Sequence, residues 1–214
     1  MNDRAVNGLD YRCDTLILGI GNLLWADEGF GIRTLERLHA DWVFRPGVSL
    51  LDGGTQGLYL IQHVQAARKL LIFDAIDYGL EPGTLKLIEN DEVPRFMGAK
   101  KMSLHQTGFQ EVLMLAQLTE QYPDEVLLIG CQPQELEDYG GSLRPIVKTA
   151  IEDALALGLD RLRQWGARPL PRDAAPGDDE AVTVPTLALG AYEQGRPPAE
   201  QACRVGDERF IPMR

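Results

Sequence analysis

TLILGIGNLLWADEGFGIRTLERL, residues 15–38, joins an apolar run to an amphipathic segment through a glycine-containing loop, and the reading of that joint decides the fold. Residues 15–20 read as a buried strand. Residues 29–40 read as a helix that turns Phe30, Leu35 and Leu38 inward. A strand that feeds a helix through a short loop is the unit from which parallel sheets are wound.

The same alternation continues along the chain. VSLLD (48–52) predicts a second strand, followed by a helix that begins near Thr55 and carries Leu58, Ile61, Val64 and Gln65. KLLIFDAI (69–76) is the strongest strand signal, and its apolar run stops at Asp74. GTLKLIE (83–89), introduced by the Pro82–Gly83 turn, alternates as an edge strand does. Residues 105–121 predict a long helix with Phe109, Val112, Leu113, Ala116 and Leu118 on one face, EVLLIGCQP (125–133) a further strand, and 142–165 a last helix from Ser142 as cap to Gly166 as stop. The expected fold is α/β: a three-layer α/β/α sandwich around a mostly parallel five-stranded sheet, with a loosely structured C-terminal tail. Residues 1–13 are an N-terminal extension, 14–167 the α/β domain and 168–214 a Pro-rich acidic tail, where seven of the 13 prolines lie. Its last residues, RFIPMR, offer Phe210 and Ile211 for docking back.

Composition narrows the function classes. An apolar fraction of 44% and a charged fraction of 25% are those of an ordinary globule. A net charge of −11, with no basic block, argues against nucleic acid and anionic membranes as partners. No apolar run is long enough for a bilayer span and the N-terminus lacks a signal-peptide layout, so a cytoplasmic location is expected. Cys13, Cys131 and Cys203 are odd in number and far apart, which disfavours a disulfide framework or a cysteine zinc site.

In open α/β sheets the working crevice lies beyond the carboxyl ends of the strands. The first strand leads to Asp27 and Glu28, the second to Asp52, Gly53, Gly54 and Thr55, the third to Asp74 and Asp77, and His105 opens a later helix. These residues are expected to converge on one rim. Clustered carboxylates disfavour one another's ionisation, so such a site binds protons or recruits a cation. Two carboxylates and a neutral imidazole would neutralise a divalent metal; nickel, zinc and manganese all suit that donor set. Each residue also has a structural reading: Asp27 as a helix cap, Glu28 as a first-turn acid, Gly53–Thr55 as a turn and N-cap, Asp74 as a loop partner. His39 lies near the end of the first helix, where a cation suits the dipole, and His63 has no acidic partner at ligand spacing. A dinucleotide loop would need glycine where Leu24 stands, and no P-loop, HExxH or GxSxG occurs.

The stretches LILGIGNLLWADEGFGIRTLERL, LLDGGTQGLYLI, LLIFDAID, PGTLKL, DEVP, KMSLHQTG and LIGCQPQELE, in unbroken order over about residues 14–165, resemble the hydrogenase maturation endopeptidases that process [NiFe]-hydrogenase large subunits. The tail GRPPAEQACRVGDERFIP resembles the uptake-hydrogenase branch. The resemblance implies an endopeptidase, aspartyl-type or metal-dependent, that removes the C-terminal extension of the large-subunit precursor after nickel insertion. Nickel would arrive with the substrate and serve as the recognition signal, and other divalent metals are expected to occupy the site in vitro. The family's metal-contacting triad falls on Glu28, Asp74 and His105. Glu28, Asp74 and Asp27 are the expected catalytic participants, and Asp52, Gly53, Gly54 and Thr55 the expected lining of the substrate cleft. The alternative is a non-catalytic nickel-sensing chaperone of the large subunit.

Overall fold

Four parallel strands, β1 (Cys13–Ile20), β3 (Val48–Gly54), β4 (Ala67–Ala75) and β6 (Glu125–Cys131), form the main sheet with β5 (Leu85–Glu89), which runs antiparallel on the edge beside β6. The computed structural model describes residues 12–97, 104–177 and 180–196, and for residues 96–97 and 104–107 the backbone course only. The strand order β3-β1-β4-β6-β5 places β1 between the strand that follows it and the strand after that. The chain therefore leaves β1 in one direction and later passes it in the other. The carboxyl end of β1 is the switch point, where such sheets open a crevice.

Alternate side chains of each strand feed two cores. Ile17, Leu71, Phe73, Leu127 and Ile129 pack against α1 (Phe30–Asp41) and α5 (Pro145–Gln164). Leu16, Leu18, Leu70, Ile72 and Leu128 pack on the other face, against α2 (Ile61–Ala66), α3 (Glu92–Met97) and α4 (Leu104–Leu118), through Val64, Val93, Phe109 and Val112. Phe30 and Phe73 are fully buried, and each such side chain contributes about 1.5–3 kcal/mol. The predicted three-layer sandwich and mostly parallel sheet are present. Leu58 and Leu118, expected inward, are instead exposed at the ends of their segments.

Helix α1 lies unusually close to the sheet. A Cβ on Gly31 would stand 2.1 Å from the Phe73 carbonyl oxygen and 2.3 Å from that of Ile20, and one on Gly19 would stand 2.6 Å from the Gly31 carbonyl oxygen. The first turn of α1 thus rests on bare backbone at the switch point.

The last long helix starts three residues later than expected, at Pro145, whose fixed φ suits a first helical position. Ser142 does not cap it; its hydroxyl donates to Glu193 at 2.7 Å. The stop is as expected: Gly166, at φ 77°, donates to the Arg163 carbonyl and Ala167 to that of Leu162, a Schellman closure.

Among the described residues beyond 167 there is little regular structure, yet they are tied to the domain. Short β7 (Leu170–Pro171) pairs antiparallel with β2 (Trp42–Val43), and α6 (Leu189–Gly195) follows a 3₁₀ turn at Pro185–Leu187. Arg33 donates to the Leu187 carbonyl at 2.6 Å and Arg172 to that of His39 at 3.1 Å. The proposed docking residues Phe210 and Ile211, Cys203 and the extension 1–11 lie outside the described residues.

Candidate active site

Beyond β1 the chain makes a closed loop. Gly21, at φ 142°, turns so tightly that a Cβ there would lie 1.9 Å from the Glu28 carbonyl oxygen, and the Asn22 amide donates to that same oxygen at 3.1 Å. The loop returns through a 3₁₀ turn, Ala26–Gly29, entered at a positive φ of 39° on Ala26. That turn orients two adjacent acids in different ways.

Asp27 is fully buried, and its carboxylate accepts three backbone amides: Gln134 at 2.9 Å, Glu135 at 2.8 Å and Arg144 at 2.6 Å. It does not cap α1, whose N-cap is Gly29 and which has no side-chain cap. The capping expectation is therefore corrected. Asp27 binds the segment between β6 and α5 to the loop. The same rim is held by the Asp27 amide on Glu135 O, the Gly140 amide on Leu24 O, and an edge-on contact of Trp25 with Tyr139 at 5.3 Å.

Glu28 is half-buried, and burial raises its pKa to about 7. Asp74, at the end of β4, is fully buried on the face covered by α2 and α4, opposite Gly130 in the β4–β6 register. Gly130 leaves room for Tyr78: a Cβ there would meet the phenol oxygen at 2.3 Å. Burial, and then the charge of Asp74, push the Tyr78 hydroxyl well above the usual phenol range. Gln132 organises the turn after Asp74, accepting from the Tyr78 amide at 2.7 Å and the Leu80 amide at 3.1 Å while donating to Asp77 at 3.0 Å.

His105 lies in the first turn of α4, with its side chain outside the described residues. One turn further on, Gly108 approaches Gly57 closely enough that a Cβ on it would lie 3.3 Å from the Gly57 Cα, so α4 opens against the loop that follows β3. Among the described residues no three His, Cys, Asp or Glu side chains come together as a ligand set.

The expected single rim divides at Asp52. Strand alternation turns Asp52 to the α1 side of the sheet, whereas Asp74 faces α2 and α4. Burial, opposed by a hydrogen bond from the Gly54 backbone, brings Asp52 to a pKa of about 6; Glu36 raises it further and Arg33 lowers it. Gly53 is buried, and a Cβ there would strike Ile20 Cδ1 at 2.5 Å. Gly54, at φ 48°, accepts the Gly21 amide at 3.1 Å, so 53–54 flank the Glu28 loop, and exposed Thr55 follows. Thr55 caps no helix, since the next turn starts after Gln56 without a side-chain cap.

Tyr78, Gly130, Gln132 and the 134–144 rim escaped the sequence reading. The available signal was a buried polar residue, Gln132, immediately after the apolar run of β6. Cys131 is an inert thiol: burial, with the charge of Asp27 added, pushes it up to about 12. Among the described residues no helix is long and apolar enough to cross a membrane.

The sequence and fold of the chain match known proteins. The sequence profile of the hydrogenase maturation protease family matches residues 32–161. Hydrogenase expression/formation protein HoxM of Cupriavidus necator is 68% identical over 196 residues, which cover 92% of this chain and 97% of that one. HoxM of Azotobacter vinelandii is 61% identical over 198 residues, 92% of this chain and 94% of that one. Among solved structures, the hydrogenase maturating endopeptidase HybD from Escherichia coli superposes with a TM-score of 0.70 at 36% identity, covering 74% of this chain and 97% of that one. The 92% shared with the HoxM proteins must include much of 168–214, whereas the E. coli endopeptidase leaves a quarter of this chain without counterpart.

Proposed function

We propose that this chain, which belongs to the hydrogenase maturation protease family and is a peptide-bond hydrolase, removes the C-terminal extension of a [NiFe]-hydrogenase large-subunit precursor in the cytoplasm, after nickel has been inserted. The observation that carries this reading is Glu28. It is a carboxyl held at the switch point on a glycine-closed loop, with a pKa raised by burial to about 7.

Nickel enters as part of the substrate. A carboxyl that is half protonated near neutral pH binds a free cation weakly. It gives up its proton when a metal already held by the precursor comes within reach, so the loaded precursor is distinguished from the empty one. Glu28 and Asp74 supply hard oxygen donors and His105 an imidazole, a set that suits nickel and other divalent ions. Asp27 is engaged by three backbone amides and Asp52 faces the other side of the sheet, so activation of the attacking water falls to Glu28 or Asp74. Gly53, Gly54 and Thr55 line the cleft beside the loop.

The test is mass spectrometry of the nickel-loaded and the nickel-free precursor after incubation with the protein. Loss of the C-terminal peptide from the loaded form alone is expected. Asp74→Asn and His105→Gln are expected to remain folded and leave the precursor intact. A precursor bound by the wild-type protein but never shortened would establish the nickel-sensing chaperone instead.

A further inference from the structure

The segment after residue 182 touches both structures that hold the Glu28 loop. On one side is the rim, residues 134–144, which grips the loop through Asp27, Leu24 and Trp25. Ser142 of that rim donates to Glu193 of α6 at 2.7 Å, and the Tyr192 hydroxyl donates to the Gly141 carbonyl at 3.4 Å. Lys148, one turn into α5, closes on the same Glu193 carboxylate at 3.0 Å. Gly141 is itself bridged to Trp25.

On the other side is α1, which begins two residues after Glu28. Arg33 is only 4% exposed, a burial that a guanidinium tolerates only with partners. It has three: Glu36 at 2.8 Å, the Leu187 carbonyl at 2.6 Å, and the Tyr192 ring, whose centroid lies 5.5 Å from the guanidinium carbon. Thr183 donates to the same Glu36. Helix α6 and the turn before it therefore connect the two sides of the loop, the rim and α1.

We infer that residues 183–193 brace the active loop, and that Glu193 and Tyr192 are positioning residues that act on peptide cleavage through Glu28. The inference rests on the proposed role of Glu28. The loop's own chain is short and strained at Ala26, which holds a positive φ of 39°, so its geometry depends on what it leans against. Glu193 and Tyr192 contact no residue assigned to the site, and their effect passes through Ser142 and Gly141. The brace belongs to the part of the chain that lies beyond the family profile, which ends at residue 161.

The experiment compares full-length Glu193→Ala, Glu193→Gln and Ser142→Ala with the wild type in two measurements. One is cleavage of nickel-loaded precursor, resolved into kcat and KM. The other is amide hydrogen exchange of residues 22–28 and 134–144. Glu193→Ala is expected to lower kcat about tenfold with KM within about twofold, since a small misplacement of a reacting group costs that much. Exchange of Asn22 and Asp27 is expected to speed up in parallel. Glu193→Gln keeps an acceptor for Ser142 and is expected to restore most of both. Unchanged exchange and kcat in Glu193→Ala would overturn the brace. So would a change confined to KM, which would make the segment a substrate contact. Absence of cleavage by the wild type would refute the proposed function while leaving the exchange measurement to decide on the brace.

Discussion

Replacing Asp27 separates a clamp from a catalyst. Its carboxylate accepts backbone amides at 2.9, 2.8 and 2.6 Å in a fully buried setting. Asp27→Ala strands three amides, and leaving a buried donor without a partner costs about 1–3 kcal/mol each, so a loss of about 3–9 kcal/mol is expected. Asp27→Asn is instructive because it conserves shape. Its best orientation keeps the oxygen on Gln134 and Glu135 and turns the amide nitrogen toward the Arg144 N–H. One charge-assisted bond becomes a meeting of two donors, with an expected cost of about 2–4 kcal/mol. For a chain of this size that corresponds to a fall in Tm of about 5–12 °C. Urea titration gives the free energies, and precursor cleavage assayed well below each variant's Tm gives the activity. Both variants are expected to be destabilised in the order Ala, then Asn, with partial cleavage in the cold. An Asn variant as stable as the wild type, yet inactive, would refute the clamp and return Asp27 to the chemistry.

Two further outcomes follow from the geometry. Burial raises Glu28 from an ordinary 4.5 to about 7, so the folded protein binds this proton more tightly than the unfolded chain. Its contribution to stability is full below pH about 4.5 and is lost as pH rises through about 7; because the group is half-exposed, the discounted size is about 1–2 kcal/mol. Glu28→Gln is expected to remove that slope between pH 5 and 8 in urea titrations, and an unchanged slope would place the proton elsewhere. Gly31→Ala would drive a methyl to 2.1 Å from the Phe73 carbonyl oxygen, a backbone atom that cannot step aside, so α1 must lift. A cost of about 1–3 kcal/mol and reduced cleavage are expected. Gly190→Ala, with nothing within 4 Å, serves as the neutral control, and equal stability of the two variants would contradict the close packing of α1.

The sheet was legible because its central strands are fully covered and therefore read as unbroken apolar runs; β4 is the clearest case, buried from Leu70 to Ala75. The edge position of β5 was legible from its alternation and turn. Capping was less so: Ser142 has the right chemistry for an N-cap but is spent on Glu193, 51 residues away, and Pro145 starts the helix instead. The weak regular structure of the described residues after 167 was legible from their prolines. Their anchoring was not, because each bond pairs polar groups far apart in sequence, such as Arg33 with Leu187.

The candidate site shows the same limit at finer grain. Position at a strand end was legible for Asp52 and Asp74 alike, but which face each side chain takes depends on register. Gly19 pairs with Asp52 on one side and with Phe73, not Asp74, on the other. One residue of offset puts the two acids on opposite faces. Asp27 and Glu28 differ by one position as well, and a 3₁₀ turn sends one to three backbone amides and leaves the other half-buried with a raised pKa. The three amides hold the Asp27 carboxylate in place, whereas burial raises the Glu28 carboxyl to a pKa of about 7. Adjacent acids therefore take different places in the fold: one fixes the loop on which the other is presented at the switch point.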